Sequence, residues 1–114
     1  MDESELQGQL QEFQATQGQL QMLTMQLQQL TMQENETQKA LEEVEKGKGP
    51  FYRFVSNILV EKDKETLKKE LADEKETISM RVSTFKKQEE RVKAKFEEIK
   101  KRLETAAKRM NPAK

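Results

Sequence analysis

Two heptad seams separated by a glycine-proline break limit this chain to long amphipathic helices that must pair along one stripe. In the second half, Ile78, Val82, Phe85, Glu89, Val92, Phe96, Ile99, Leu103, Ala106 and Met110 advance by alternating steps of four and three residues, and Leu67 and Leu71 extend the series backwards. In the first half Leu6, Leu10, Phe13 and Leu20 show the same spacing, with Gln17 at the seam position before Leu20. The seam resumes as Leu23, Leu27, Leu30, Glu34, Thr37, Leu41 and Val44, and the second successive step of three, from Leu20 to Leu23, predicts a stammer that overwinds the coil. Gly47 reads as a C-terminal cap and Gly49-Pro50 as a stop for the first helix. Asp63 reads as the cap of the second helix, with Thr66 unremarkable in its first turn, and Asn111-Pro112 as its end.

The period changes only in residues 51–62, FYRFVSNILVEK. β-Branched and aromatic residues fill two runs, 51–55 and 58–61, parted by Ser56-Asn57, a pair suited to a tight two-residue turn. Alternation is read as placing Tyr52, Phe54, Ile58 and Val60 on one face and Phe51, Val55 and Leu59 on the other. A lone two-stranded hairpin is marginal in water, and no other segment reads as a strand. The hairpin is therefore expected to be completed by other subunits, with Tyr52, Phe54, Val55, Ile58, Leu59 and Val60 as the subunit-assembly residues.

Composition supports helices over a globule: 37% of the 114 residues are charged and 33% hydrophobic, too few apolar side chains for a broad core. Net charge is zero, yet residues 1–45 carry nine acids and one base while residues 46–114 carry twenty bases and twelve acids. The two arms should attract and pair antiparallel, matching positions whose numbers add to about 112, such as Val44 with Leu67, Leu41 with Leu71, Leu27 with Phe85, Leu20 with Val92 and Leu10 with Leu103. Glu34 then falls near Ile78, within reach of Lys75 or Arg81. The expected fold class is mainly α: a long antiparallel two-helix coiled coil joined by one β-hairpin, with the helices at 5–46 and 64–110 forming one domain over 1–114.

Residues 13–33 are uncharged and rich in glutamine, read as a neutral solvated helix face; Met22, Met25 and Met32 lie off the seam, where thioethers suit an adaptable surface. The chain has no cysteine and no histidine, hence no thiolate metal site and no imidazole base, and Gly8, Gly18, Gly47 and Gly49 lack nucleotide-loop spacing. No cofactor, metal or catalytic residue is expected, and the chain is read as a non-enzyme. Its acidic start and the absence of a long apolar run point to a cytoplasmic protein without a membrane partner. The basic residues between 86 and 109 invite a nucleic-acid reading, but Glu89 with Lys93, Glu97 with Lys101, Glu98 with Arg102 and Glu104 with Lys108 are spaced as helix-stabilising pairs. No nucleic-acid partner is expected.

At FYRFVSNILVEKDKE, followed by EERVKAKFEEIKKRL, the chain resembles the prefoldin family, in particular its archaeal β subunits, over almost its whole length. The motif is carried by Tyr52-Arg53-Phe54-Val55, the turn at Ser56, Asn57-Ile58-Leu59-Val60 and Lys62. Ser56 stands where the family commonly has glycine, and Gly47-Lys48-Gly49-Pro50 replaces a more acidic linker. The resemblance implies a hexamer of two α and four β subunits whose hairpins close into an intersubunit β-barrel. It also implies ATP-independent holding of unfolded client proteins at the coiled-coil tips and their transfer to a group II chaperonin. The tips would be Leu6, Leu10 and Phe13 of the first arm and Ile99, Leu103 and Met110 of the second. A purely structural coiled-coil assembly protein, handling no client, is the alternative.

Overall fold

A computed structural model describes residues 2–110, the side chain of Met110 excepted, so the expected stop at Asn111-Pro112 and the tip role of Met110 lie outside the described residues. The element order is α1 (Glu3–Lys46), β1 (Phe51–Val55), β2 (Ile58–Lys62) and α2 (Lys64–Met110). The first helix begins at Glu3, ahead of the expected residue 5, because Asp2 Oδ1 accepts a 2.8 Å hydrogen bond from the Glu5 amide and satisfies one of the orphan donors of the first turn.

Residue contacts divide the chain into two compact units, one formed by α1 up to Leu27 with α2 from Thr84, the other by Gln28–Ser83. Within Gln28–Ser83 the helices run antiparallel. Ser79 Oγ donates to Glu34 Oε2 at 2.6 Å, Lys75 Nζ donates to Gln38 Oε1, and Lys68 Nζ pairs with Glu45 Oε2 at 2.7 Å, so that the residue numbers of each pair add to 113. The core of this unit is Val44, Leu67 and Leu71, with Ala40, Leu41 and Phe51 packed against it. Glu34 thus takes the Ser79 hydroxyl in place of the Lys75 or Arg81 expected for it; Lys75 instead reaches Gln38. In the other unit the same antiparallel sense appears in Thr24 donating to Glu89 Oε2 at 3.0 Å and in the stacked rings of Phe13 and Phe96, whose centroids lie 4.8 Å apart.

Burial along α2 follows the expected seam, with Leu67, Leu71, Val82, Ile99 and Ala106 buried and the intervening seam residues half-buried. Along α1 the seam takes a different path from the expected one. Leu6, Gln9, Phe13, Thr16, Leu20, Leu23 and Leu27 turn inward at unbroken steps of three and four, while Gln17 is exposed and Leu10 is 44% exposed. There is no stammer in this pattern. Keeping one heptad phase avoids overwinding, at the cost of turning Gln9 and the 4%-exposed Thr16 inward. The Gln9 Oε1 atom is buried without a hydrogen-bond partner, the local penalty of that phase.

The connection between the helices is built from specific partners. Lys64 Nζ donates to the carbonyls of Glu45 (2.9 Å) and Gly47 (3.1 Å), so a side chain from the start of α2 closes the end of α1. The left-handed residue is Gly49 at φ 85°, whereas Gly47 serves close approach: a Cβ there would meet the Phe51 ring at 3.0 Å. Asp63 caps α2, and Thr66, through its hydroxyl and its amide, holds the Asp63 carboxyl below its usual range. Thr66 is thus the partner of the Asp63 cap, a role its residue type alone does not mark.

Strands β1 and β2 pair antiparallel, with Phe51 opposite Lys62, Arg53 opposite Val60, Phe54 opposite Leu59 and Val55 opposite Ile58. Residues directly opposite share a face, so Ile58 and Val60 lie with Phe51, Arg53 and Val55, and Leu59 lies with Tyr52 and Phe54. The expected grouping of Ile58 and Val60 with Tyr52 and Phe54 missed that a two-residue turn inverts parity across the hairpin, so that odd positions of β1 share a face with even positions of β2. Ser56 at the first turn position has φ 58°, a conformation that ordinarily selects glycine.

Candidate assembly and client-binding surfaces

The two faces of the hairpin have different chemistry. Phe51 seats in the core of the Gln28–Ser83 unit, and on the same face Lys62, opposite it, and Arg53, two residues on, meet acidic residues of α2. Arg53 Nη1 reaches Glu70 Oε2 at 3.1 Å, Arg53 Nη2 pairs with Glu74 Oε1, and Lys62 Nζ reaches the other Glu70 oxygen at 2.9 Å. Hydrogen bonding from Lys62, and then from Arg53, keeps the Glu70 carboxyl below the ordinary glutamate range, and the Glu74 carboxylate raises the affinity of Arg53 for its proton. The sequence analysis named Arg53 and Lys62 only as parts of the hairpin motif and did not mark Glu70 or Glu74; the signal available was two glutamates one helical turn apart on α2 and one cation on each strand.

The opposite face is left open. Tyr52, Phe54 and Leu59 are exposed, Phe54 to 72%, and at the turn end Val55 and Ile58 are exposed as well; Val60 alone among the six expected assembly residues is half-buried. Five large apolar side chains on ten strand residues is a density that solvent does not favour on a lone hairpin. Both strands also keep a free edge, since the sheet has only two.

In the other unit the expected tip residues separate by burial. Phe13, Leu103 and Leu6 are half-buried and Leu10 projects outward, whereas Ile99 is only 2% exposed and serves as packing. Leu6 and Ala106, with Glu98, Lys101, Arg102, Thr105 and Arg109, line an open groove whose floor is apolar and whose rim is mainly basic. Exposed methionines lie elsewhere: Met22 and Met25 in this unit, Met32 and Met80 in the other, Met80 being one that heptad reading did not mark. The predicted intrahelical pair Glu98–Arg102 forms at 2.6 Å, and Lys95 reaches across to Glu12 at 3.4 Å. Among the described residues no helix is long and apolar enough to cross a membrane.

Antiparallel helix segments joined by one two-stranded hairpin with an exposed apolar face define a helix–hairpin–helix class of protein. The family model described as "Prefoldin subunit" matches residues 7–109, and the chain belongs to the prefoldin family. It is 36% identical to the prefoldin subunit beta of Archaeoglobus fulgidus over 94 residues, 81% of each chain. It is 39% identical to that of Methanosarcina mazei over 94 residues, 81% of this chain and 80% of the relative. The crystal structure of the prefoldin beta subunit from Thermococcus strain KS-1 superposes with a TM-score of 0.81 at 27% identity, covering 90% of this chain and 91% of that one. The family is one of non-enzymatic chaperones whose β subunits form oligomeric complexes, and the helix–hairpin–helix order is theirs.

Proposed function

We propose that this chain is the β-type subunit of an ATP-independent cytoplasmic chaperone, assembled through its hairpin with a prefoldin α subunit in a complex of two α and four β chains. In that complex the hairpins join edge to edge in an intersubunit β-barrel, with residues 1–114 acting as one prefoldin-type domain. The observation that carries this reading is the exposed apolar surface of Tyr52, Phe54, Val55, Ile58 and Leu59 on a hairpin with two open edges, in a chain otherwise rich in charge. Burial of that surface is a large hydrophobic gain still open to the chain.

Client proteins in a non-native state are held at the helix ends, where Leu6, Leu10, Phe13 and Leu103 offer apolar surface beside the basic rim of the groove, and are passed to a group II chaperonin. Ile99 contributes by packing unless the ends part, and Met110 belongs to the same end of α2. Removing residues 1–13 tests the client site: the oligomer should still form, and suppression of aggregation of a chemically denatured client should fall. Undiminished suppression by the truncated complex would contradict the assignment. No suppression by the intact complex would favour a structural coiled-coil protein without clients.

A further inference from the structure

Glu70 ion-pairs with both strands of the hairpin: its Oε2 atom takes Arg53 of β1 and its Oε1 atom takes Lys62 of β2, while Glu74, one turn further along α2, takes the second arm of the same guanidinium. At the near end of the hairpin, Phe51 is fixed in the Val44, Leu67 and Leu71 core. Beyond Arg53 and Val60 the strands continue to Val55 and Ile58, both exposed. An apolar pin at one end restrains position but leaves rotation about it cheap. A guanidinium forked between two carboxylates restrains angle, because its donors lie in one plane and must meet both acceptors together.

We propose that Glu70 and Glu74 are positioning residues that set the angle of the hairpin on α2 and so present the Tyr52, Phe54 and Leu59 face for subunit assembly. The inference rests on the assembly role proposed above. The network lies at a half-exposed surface, so its contribution to the stability of the fold is small. Its effect is on orientation. Without it the hairpin pivots about Phe51, and only a fraction of molecules offer the face in the angle a partner needs; if that fraction falls to about one tenth, apparent affinity for the partner falls about tenfold.

Because the chain has no cysteine, Asn57→Cys and Glu76→Cys, both at exposed positions, introduce a unique pair of nitroxide labels on the full chain, and the distance distribution between them reads the hairpin angle. A single narrow distribution is expected in the parent, a broad one in Glu70→Lys with Glu74→Lys, and a narrow one again when Arg53→Glu and Lys62→Glu are added to restore opposite charges. Far-UV helicity should stay the same throughout, and the milder Glu70→Gln should broaden the distribution partially. A broad distribution in the parent, equal widths in parent and double variant, or no narrowing on charge exchange would each overturn the proposal. Titration with a prefoldin α subunit then separates the two readings: a parent chain that fails to assemble contradicts the assembly role, while the label distances still decide whether Glu70 and Glu74 set the angle. A parent and a double variant that assemble with equal affinity would refute the positioning role itself.

Discussion

Replacing Leu10 and Leu23 by alanine, one at a time, distinguishes the continuous α1 seam from a seam broken by a stammer. Both leucines are seam residues in the leucine-only reading, and truncating either should then cost a similar amount. In the structure Leu23 is 8% exposed and Leu10 is 44% exposed, while Gln9 and Thr16 occupy the inward positions on either side of Phe13. Leu23→Ala removes buried methyl groups and leaves a cavity between packed helices, for a loss of about 3 kcal/mol. Leu10→Ala removes groups already half in water and leaves no enclosed void, for a loss of at most about 1 kcal/mol. Thr16→Val removes a buried hydroxyl and keeps the shape, and should gain up to about 1 kcal/mol, whereas Gln17→Val, at an exposed position, should change little. Urea unfolding of the purified chain followed by far-UV circular dichroism gives each difference. Equal losses for Leu10→Ala and Leu23→Ala, together with a stabilising Gln17→Val, would refute the continuous seam.

Phe54→Asp or Ile58→Asp should abolish oligomer formation with little change in helicity, since each places a carboxylate on exposed hairpin surface that no helix covers; native mass of the complex is the readout. Ser56→Gly should slow amide hydrogen exchange in β1 and β2. Relief of the positive φ is worth roughly 1 kcal/mol, of which the greater freedom of glycine in the unfolded chain returns about half. Acid should loosen the hairpin end late. Asp63, Glu45 and Glu70 all have folded-state pKa values below their ordinary ones, for Glu45 through Lys68, so their contribution is complete above the ordinary carboxylate range and fades as pH falls through the lowered values. Exchange protection of residues 51–70 should therefore persist at pH 5 and fall below the ordinary range; loss already between pH 7 and pH 5 would contradict these assignments.

The second helix could be read from residue types because most inward positions carry an apolar side chain, and Glu89, a polar exception, keeps the phase and finds Thr24. The first helix misled where polarity and phase disagree. Leu10 is apolar and outward, Thr16 is polar and inward, and choosing leucines over strict spacing produced a stammer that the burial pattern does not contain. The hairpin was visible in its β-branched runs and in its two-residue turn, but its faces follow from the pairing across that turn and not from alternation continued along the sequence. The Arg53, Lys62, Glu70 and Glu74 network and the Lys64 closure of α1 join different elements, and the spacing of the glutamates and the strand cations does not by itself say which of them meet.

The most direct test of the central claim is the native mass of this chain alone and after mixing with a prefoldin α subunit. A six-subunit species containing four copies of this chain is predicted. A chain that stays helical, associates only with itself and leaves the α subunit unbound would contradict it.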